Sequence, residues 1–173
     1  MPCVDEAWVR RESGEIAALL VAARHEHEGL SQARLARLMG VSANTVCSLE
    51  KGWGRDGPTL VHLTSWARLV GFRMVVVDVH AGWLSVPLVR KAGEGRDALE
   101  VRRLLVTLRG VREGGRPRRT QAEVARRAGV SKSSIRHWEC LVGEPRAVGF
   151  MRWVLALGCA VELRPWQGSE SVT

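Results

Sequence analysis

The 173 residues carry 26 Lys and Arg against 18 Asp and Glu, a formal net charge of +8, with 46% apolar and 25% charged side chains. That balance is globular and speaks against a disordered chain. The absence of a basic-then-apolar leader and of any membrane-length apolar run predicts a cytoplasmic protein with no membrane partner. Cys3, Cys47, Cys140 and Cys159 are scattered with no Cys-x-x-Cys pair. They fit reduced thiols better than a disulfide frame or a zinc site. The charge is uneven. Residues 1–89 hold nine basic and nine acidic side chains, whereas residues 90–173 hold seventeen and nine, so the whole excess lies in the second half. A polyanion gripped mainly by that half is the partner this asymmetry suggests. Only Lys51, Lys91 and Lys132 are lysines. The remaining basic side chains are arginines, which suit bidentate contacts to phosphate or guanine.

In chain order, residues 1–12 mix charges around Trp8 and are expected to form an irregular lead. Ser13 is placed to cap a helix from Gly14 to His27, with Ile16, Leu19, Leu20 and Ala23 on one face. Gly29 ends it. Residues 31–50 read as two short helices around a tight turn. Ser31 caps the first, Gly40 closes it in the left-handed conformation, and Ser42 caps the second. The breaker-rich stretch 51–58 follows. Thr59 then caps a fourth helix that buries Leu60, Leu63, Trp66, Ala67 and Val70 and stops at Gly71. The β-branched run Phe72–Val79 predicts a strand, and residues 84–89 a second one held to a sheet edge by Pro87. Residues 90–96 are the expected linker. Asp97 and Glu100 have the spacing of a capping box at the start of a helix running to Arg109.

The second half repeats the first. Thr120 to Glu139 aligns with Ser31 to Glu50 at a spacing of 89 without a gap, and eight of the twenty positions are identical. These are Gln32/Gln121, Ala33/Ala122, Ala36/Ala125, Arg37/Arg126, Gly40/Gly129, Val41/Val130, Ser42/Ser131 and Glu50/Glu139. Beyond them Pro145, Trp153 and Gly158 match Pro58, Trp66 and Gly71 at an offset of 87, and Cys159–Leu163 stands where the first strand stands. The loop before the second motif reads as about four residues longer than its counterpart, and the tail from Gln167 is expected to be disordered. An internal duplication follows, with domains at 13–89 and 97–166.

The pattern Gln-x-x-(Leu/Val)-Ala-x-x-x-Gly-Val-Ser-x-x-x-(Val/Ile)-x-x-x-Glu resembles the phage-repressor, or Xre-type, helix-turn-helix, and it occurs twice. The resemblance implies a mainly α fold: two tandem repressor-like helix-turn-helix domains of four helices each. Their few short strands are expected to form one small sheet between them, since a lone strand is not stable. It also implies double-stranded DNA as partner, with the second motif helix lying in the major groove. By position, base edges would be met by Ala43, Asn44 and Ser48 in the first copy, with Cys47 alongside. In the second copy they would be met by Lys132, Ser133 and His137, with Arg136 alongside. Asn44 suits adenine, and Lys132 or Arg136 suits guanine. Backbone phosphate contacts would come from Ser31, Gln32, Thr120 and Gln121, with Arg116, Arg118 and Arg119 added in the second copy. The segment Gly115-Arg116-Pro117-Arg118 also resembles the core of a minor-groove AT-hook, a four-residue match that an ordinary phosphate-contacting loop explains as well. Finally, Arg24 is expected to pair with Glu50 and Arg109 with Glu139, tying each first helix to its motif.

No nucleophile–base–acid set or phosphate-cradling glycine loop is present, so neither catalysis nor a cofactor is expected. His25 and His27 lie two apart on a helix and point about 200° from each other, which argues against a metal site. The function these features imply is transcription regulation, most simply repression, by a chain that binds DNA as a monomer with two unlike heads. Two alternatives stay open: a DNA-binding antitoxin with a toxin partner, and a first domain devoted to protein interaction.

Overall fold

Asp5 accepts a hydrogen bond from the Ala7 amide at 2.9 Å and starts the first helix, α1, at Glu6, well before the predicted Ser13–Gly14. The computed structural model describes residues 4–78, 82–84, 93–115 and 118–166. The early start has a simple cause. The buried face of α1 (Glu6–Glu26) begins at Val9 and continues through Ser13, Ile16, Ala17 and Leu20, so the helical stripe runs through Ser13 instead of starting there. Ser13 is consequently buried within the helix and its hydroxyl has no partner. Leu19, expected inside, is exposed.

The two short helices that follow are α2 (Gln32–Met39) and α3 (Ala43–Glu50), capped by the hydroxyls of Ser31 and Ser42. Gly40 lies between them at φ +70°. Its left-handed backbone would strain any residue with a Cβ. Thr59 caps α4 (Leu60–Leu69), and β1 (Phe72–Asp78) runs into β2 (Gly82–Leu84). The predicted second strand at 84–89 is thus displaced toward the first. Most of that segment, like His80, much of the linker and the tail from Gln167, lies outside the described residues.

The second half repeats this order. Its first helix, α5 (Arg96–Gly114), differs at both ends from the predicted 97–109 helix. Gly95 is the N-cap and gives no side-chain bond. The capping box does not form because both carboxylates are engaged elsewhere: Asp97 accepts from Arg68 at 2.7 Å, and Glu100 from Arg103 at 3.0 Å. At the far end the apolar stripe Val101, Leu104, Leu105, Leu108 continues onto Arg112, which is buried, so the helix carries on past Arg109. The residues assigned to a longer loop are therefore helical. The connection to the next helix spans 115–120, against 27–31 in the first half. Then come α6 (Gln121–Ala128), α7 (Lys132–Glu139), α8 (Ala147–Ala156) and β3 (Cys159–Pro165). Gly129, at φ +64°, repeats the turn of Gly40.

The fold is mainly helical with one small antiparallel sheet, in the order β2-β1-β3. The β1–β3 ladder joins the halves along its whole length, from Phe72 opposite Pro165 to Asp78 opposite Cys159. At its middle, Val75 faces Glu162. A separate bridge pairs Thr59 with Arg146. Both pairs are separated by 87 positions, the same offset that relates Trp66 to Trp153. Equivalent residues that meet antiparallel are what a two-fold axis produces. The chain therefore has an internal pseudo-two-fold axis passing between Thr59 and Arg146 and between Val75 and Glu162.

The long first helices cross that axis. The α1 helix packs on α8 of the other half, and α5 packs on α4. Each crossing carries an ion pair: Glu6 with Arg152 and Arg68 with Asp97. The Val4 amide also donates to the Arg127 carbonyl at 2.8 Å. The result is one hydrophobic core running through both halves, with Trp66, Trp153, Phe150, Leu63 and Leu108 fully buried.

A shared core predicts shared unfolding. Phe150→Ala should lower stability by about 3–5 kcal/mol, the range for an aromatic removed from a core. Tryptophan fluorescence and far-ultraviolet circular dichroism should report one coincident urea transition for both halves. Two separated transitions would mean that the core is not cooperative.

Candidate nucleic-acid interface

In each half three polar side chains lock the two-helix unit to the first helix. Arg24 donates from Nε to Oε1 of Glu50 at 2.5 Å and from Nη2 to Oε2 at 3.0 Å. Gln32 donates from Nε2 to the same Oε2 at 2.7 Å, and Arg24 Nη1 reaches the Leu30 carbonyl at 3.3 Å. In the second half Arg112 donates to Glu139 at 2.5 and 2.9 Å, Gln121 donates to it at 2.7 Å, and Arg112 Nη1 reaches the Arg119 carbonyl at 3.2 Å. The two clusters match atom for atom. Hydrogen bonding to Glu139 raises the Arg112 pKa above its ordinary value, so the guanidinium stays charged.

Arg112, not Arg109, is thus the partner of Glu139. Arg109 lies one turn earlier, has half of its side chain exposed and pairs with Glu113 at 3.1 Å. The mismatch arose from ending the helix too soon. Arg24 precedes Ser31 by seven positions, Arg112 precedes Thr120 by eight, and Arg112 falls on the continued buried stripe. The expectation for Gln32 and Gln121 also changes. Each carboxamide nitrogen is held by the motif glutamate, which gives these residues a structural task in place of a free donor.

The clusters fix which face of α3 and α7 points inward. Val46 and Leu49 are buried on α3, and Ile135 and Glu139 on α7. Trp138 is half-buried, tilted on Trp153 with ring centroids 5.7 Å apart. The opposite faces are open. Ala43, Asn44 and Ser48 are exposed on α3, as are Lys132, Ser133, Arg136 and His137 on α7; Cys47 is half-buried. Ser31 and Thr120 use their hydroxyls as helix caps, and Thr120 forms a full capping box with Glu123.

Two surface recesses adjoin these faces. One, of about 510 Å³, is lined by Arg112, Arg118, Arg119, Thr120, Gln121 and Lys132. It opens at the N-terminus of α6, where backbone amides and the helix dipole favour an anion. Arg118 is exposed there, while Arg119 is half-buried and donates to the Leu157 carbonyl at 2.7 Å, capping the end of α8. The corresponding positions of the first half are Gly29, Leu30 and Ala43, so that half has no such cluster of cations. Arg116 lies outside the described residues.

The other recess, of about 450 Å³, lies beside α3, with Asn44 and Ser48 on one side and Thr59, His62 and Arg146 on the other. Sequence reasoning passed over His62 and Arg146. The only signal for Arg146 is its position after Pro145, 87 residues from Thr59, which marks it as equivalent to a capping residue and not as a surface cation.

Among the described residues no three His, Cys, Asp or Glu side chains are grouped to hold a metal ion, and no helix is long and apolar enough to cross a membrane. Comparison with family models finds no match, and comparison with curated proteins and with solved structures finds none either.

The buried clusters give a sharp stability contrast. Arg112→Ala leaves Glu139 buried and unpaired and should cost about 3–5 kcal/mol. Arg109→Ala removes an exposed pair and should change stability by no more than about 0.5 kcal/mol. Urea denaturation of the two variants checks this, and similar losses would contradict the assignment.

Proposed function

We propose that the chain is a sequence-specific double-stranded DNA-binding regulator of transcription, built as two covalently joined helix-turn-helix heads, and that it represses by occupying its site as a monomer. The observation that carries this reading is the repeated pairing of one rigid support with two different outward faces. Arg24, Gln32 and Glu50 hold α3 as Arg112, Gln121 and Glu139 hold α7. On these supports Ala43, Asn44 and Ser48 are replaced by Lys132, Ser133 and His137. A frame kept constant while exposed side chains differ fits a surface that reads sequence through those side chains.

The pseudo-two-fold axis supports an inverted arrangement of the half-sites. Heads related by a two-fold axis meet a duplex in opposite senses and enter successive major grooves about 34 Å apart. Because the outward residues differ, the two half-sites are unlike in sequence. Arg118 and Lys132 at the N-terminus of α6 supply phosphate contacts to the second head, and the neutral first half supplies few. Arg136 and Lys132 suit guanine, and Asn44 suits adenine.

Selection from randomised DNA, followed by binding isotherms over a range of salt, tests the reading. Arg118→Ala should weaken binding equally on all sequences and reduce the salt slope by about 1. Asn44→Ala should relax one half-site, costing roughly 1–3 kcal/mol on the preferred sequence, without altering that slope. Failure to enrich any sequence, with wild type and variants alike, would reject sequence-specific binding.

A further inference from the structure

The pseudo-two-fold axis does more than relate the two heads. It brings one cation of the second half to the first head. Arg146 is the N-cap of α8 yet makes no side-chain capping bond. It is exposed, and its backbone is bridged to Thr59, its own equivalent, across the axis. Its side chain shares the recess beside α3 with Asn44 and Ser48, so it faces the same surface as the first head. Among the described residues the guanidinium has one hydrogen bond, from Nη1 to the Gly57 carbonyl at 3.3 Å. No carboxylate neutralises it there. Glu144, two positions earlier, accepts from the Val61 amide instead. Thr59, in the symmetric position, is uncharged, and its hydroxyl is taken by the His62 amide at 3.3 Å.

Two heads in successive major grooves on one side of a duplex leave the intervening minor groove facing the axis between them. We propose that Arg146 enters that central minor groove and makes the middle of the site, which neither motif helix reaches, a third region of sequence preference. The proposal rests on the DNA-binding reading. An arginine on the axis, tethered to its surroundings by one long hydrogen bond, is free to turn outward. A narrow minor groove over A·T pairs carries an enhanced negative potential that attracts an arginine, whereas the 2-amino group of guanine obstructs the floor of the groove. Since the equivalent position is Thr59, the centre is contacted by one cation and not two. The site then has a direction even where its flanks happen to match.

The experiment uses the full chain and three duplexes that share the selected half-sites and differ only at the central pairs: A·T, G·C, and inosine·cytosine. The last keeps the major-groove pattern of G·C but lacks the minor-groove amino group. Fluorescence anisotropy at fixed salt should give wild-type affinities for A·T and inosine·cytosine about tenfold above that for G·C. Arg146→Ala should bring the three together while keeping the half-site preferences governed by Asn44 and Lys132. Its thermal midpoint should match wild type, because no capping bond is lost. Equal wild-type affinity for all three centres would overturn the proposal. So would an Arg146→Ala variant that keeps the central preference, or one that loses preference at the Asn44 half-site instead. Absence of sequence-dependent binding on any duplex would reject the DNA reading itself, and would be recognised by the same flat response to half-site changes.

Discussion

A single β-strand leaves its backbone donors and acceptors without partners, and each half of this chain has a strand that needs another. The described part of β2 reaches only the last three residues of β1. The full-length partner is β3, seven residues opposite seven, with equivalent positions meeting at Val75 and Glu162. That pairing sets the axis, and the axis sets nearly everything else. It puts Thr59 against Arg146, brings α4 and α8 together, and lays each first helix on the fourth helix of the other half. Neither half could withdraw without exposing an edge and parting a core that includes both buried tryptophans.

Within that frame the motif helices are held by electrostatics that are costly to disturb. Glu50 and Glu139 are buried carboxylates, and burial of a charge is tolerated because an arginine fork and a carboxamide satisfy both oxygens. The carboxylate is thus a fixed point, and rotation of α3 or α7 about its own axis would pull it off two donors at once. This rigidity is what the proposed reading of base edges requires, since a loosely held helix would blur one sequence into another.

The motif turns were legible because their chemistry is local. Ser42, Gly40 and their counterparts carry the caps and the left-handed turn wherever they sit. The sheet joining the halves was also readable, because a duplicated lone strand has few other places to go. Helix ends were not. Ser13 and the Asp97–Glu100 pair have the composition of caps, but Ser13 falls on a buried stripe and Asp97 is drawn to Arg68 across the axis. That attraction depends on which surfaces meet, information that no local window holds. The Arg109 error has the same root: one more turn of α5 changes which arginine faces the carboxylate. Arg146 escaped notice because its importance comes from lying on an axis that only the assembled halves define.

In a symmetric dimer of identical chains every substitution is made twice, so a change that suits one subunit must also be tolerated in the other. Here the axis relates positions without equating them. Arg127 stands where the first half exposes Leu38, Arg119 caps a helix where Leu30 fills the core, and Glu162 answers Val75 on the axis itself. The two halves can therefore accumulate differences independently, each subject only to the contacts it makes across the seam. The uneven charge of the chain is one such difference, written into a frame that has kept its symmetry where the halves touch.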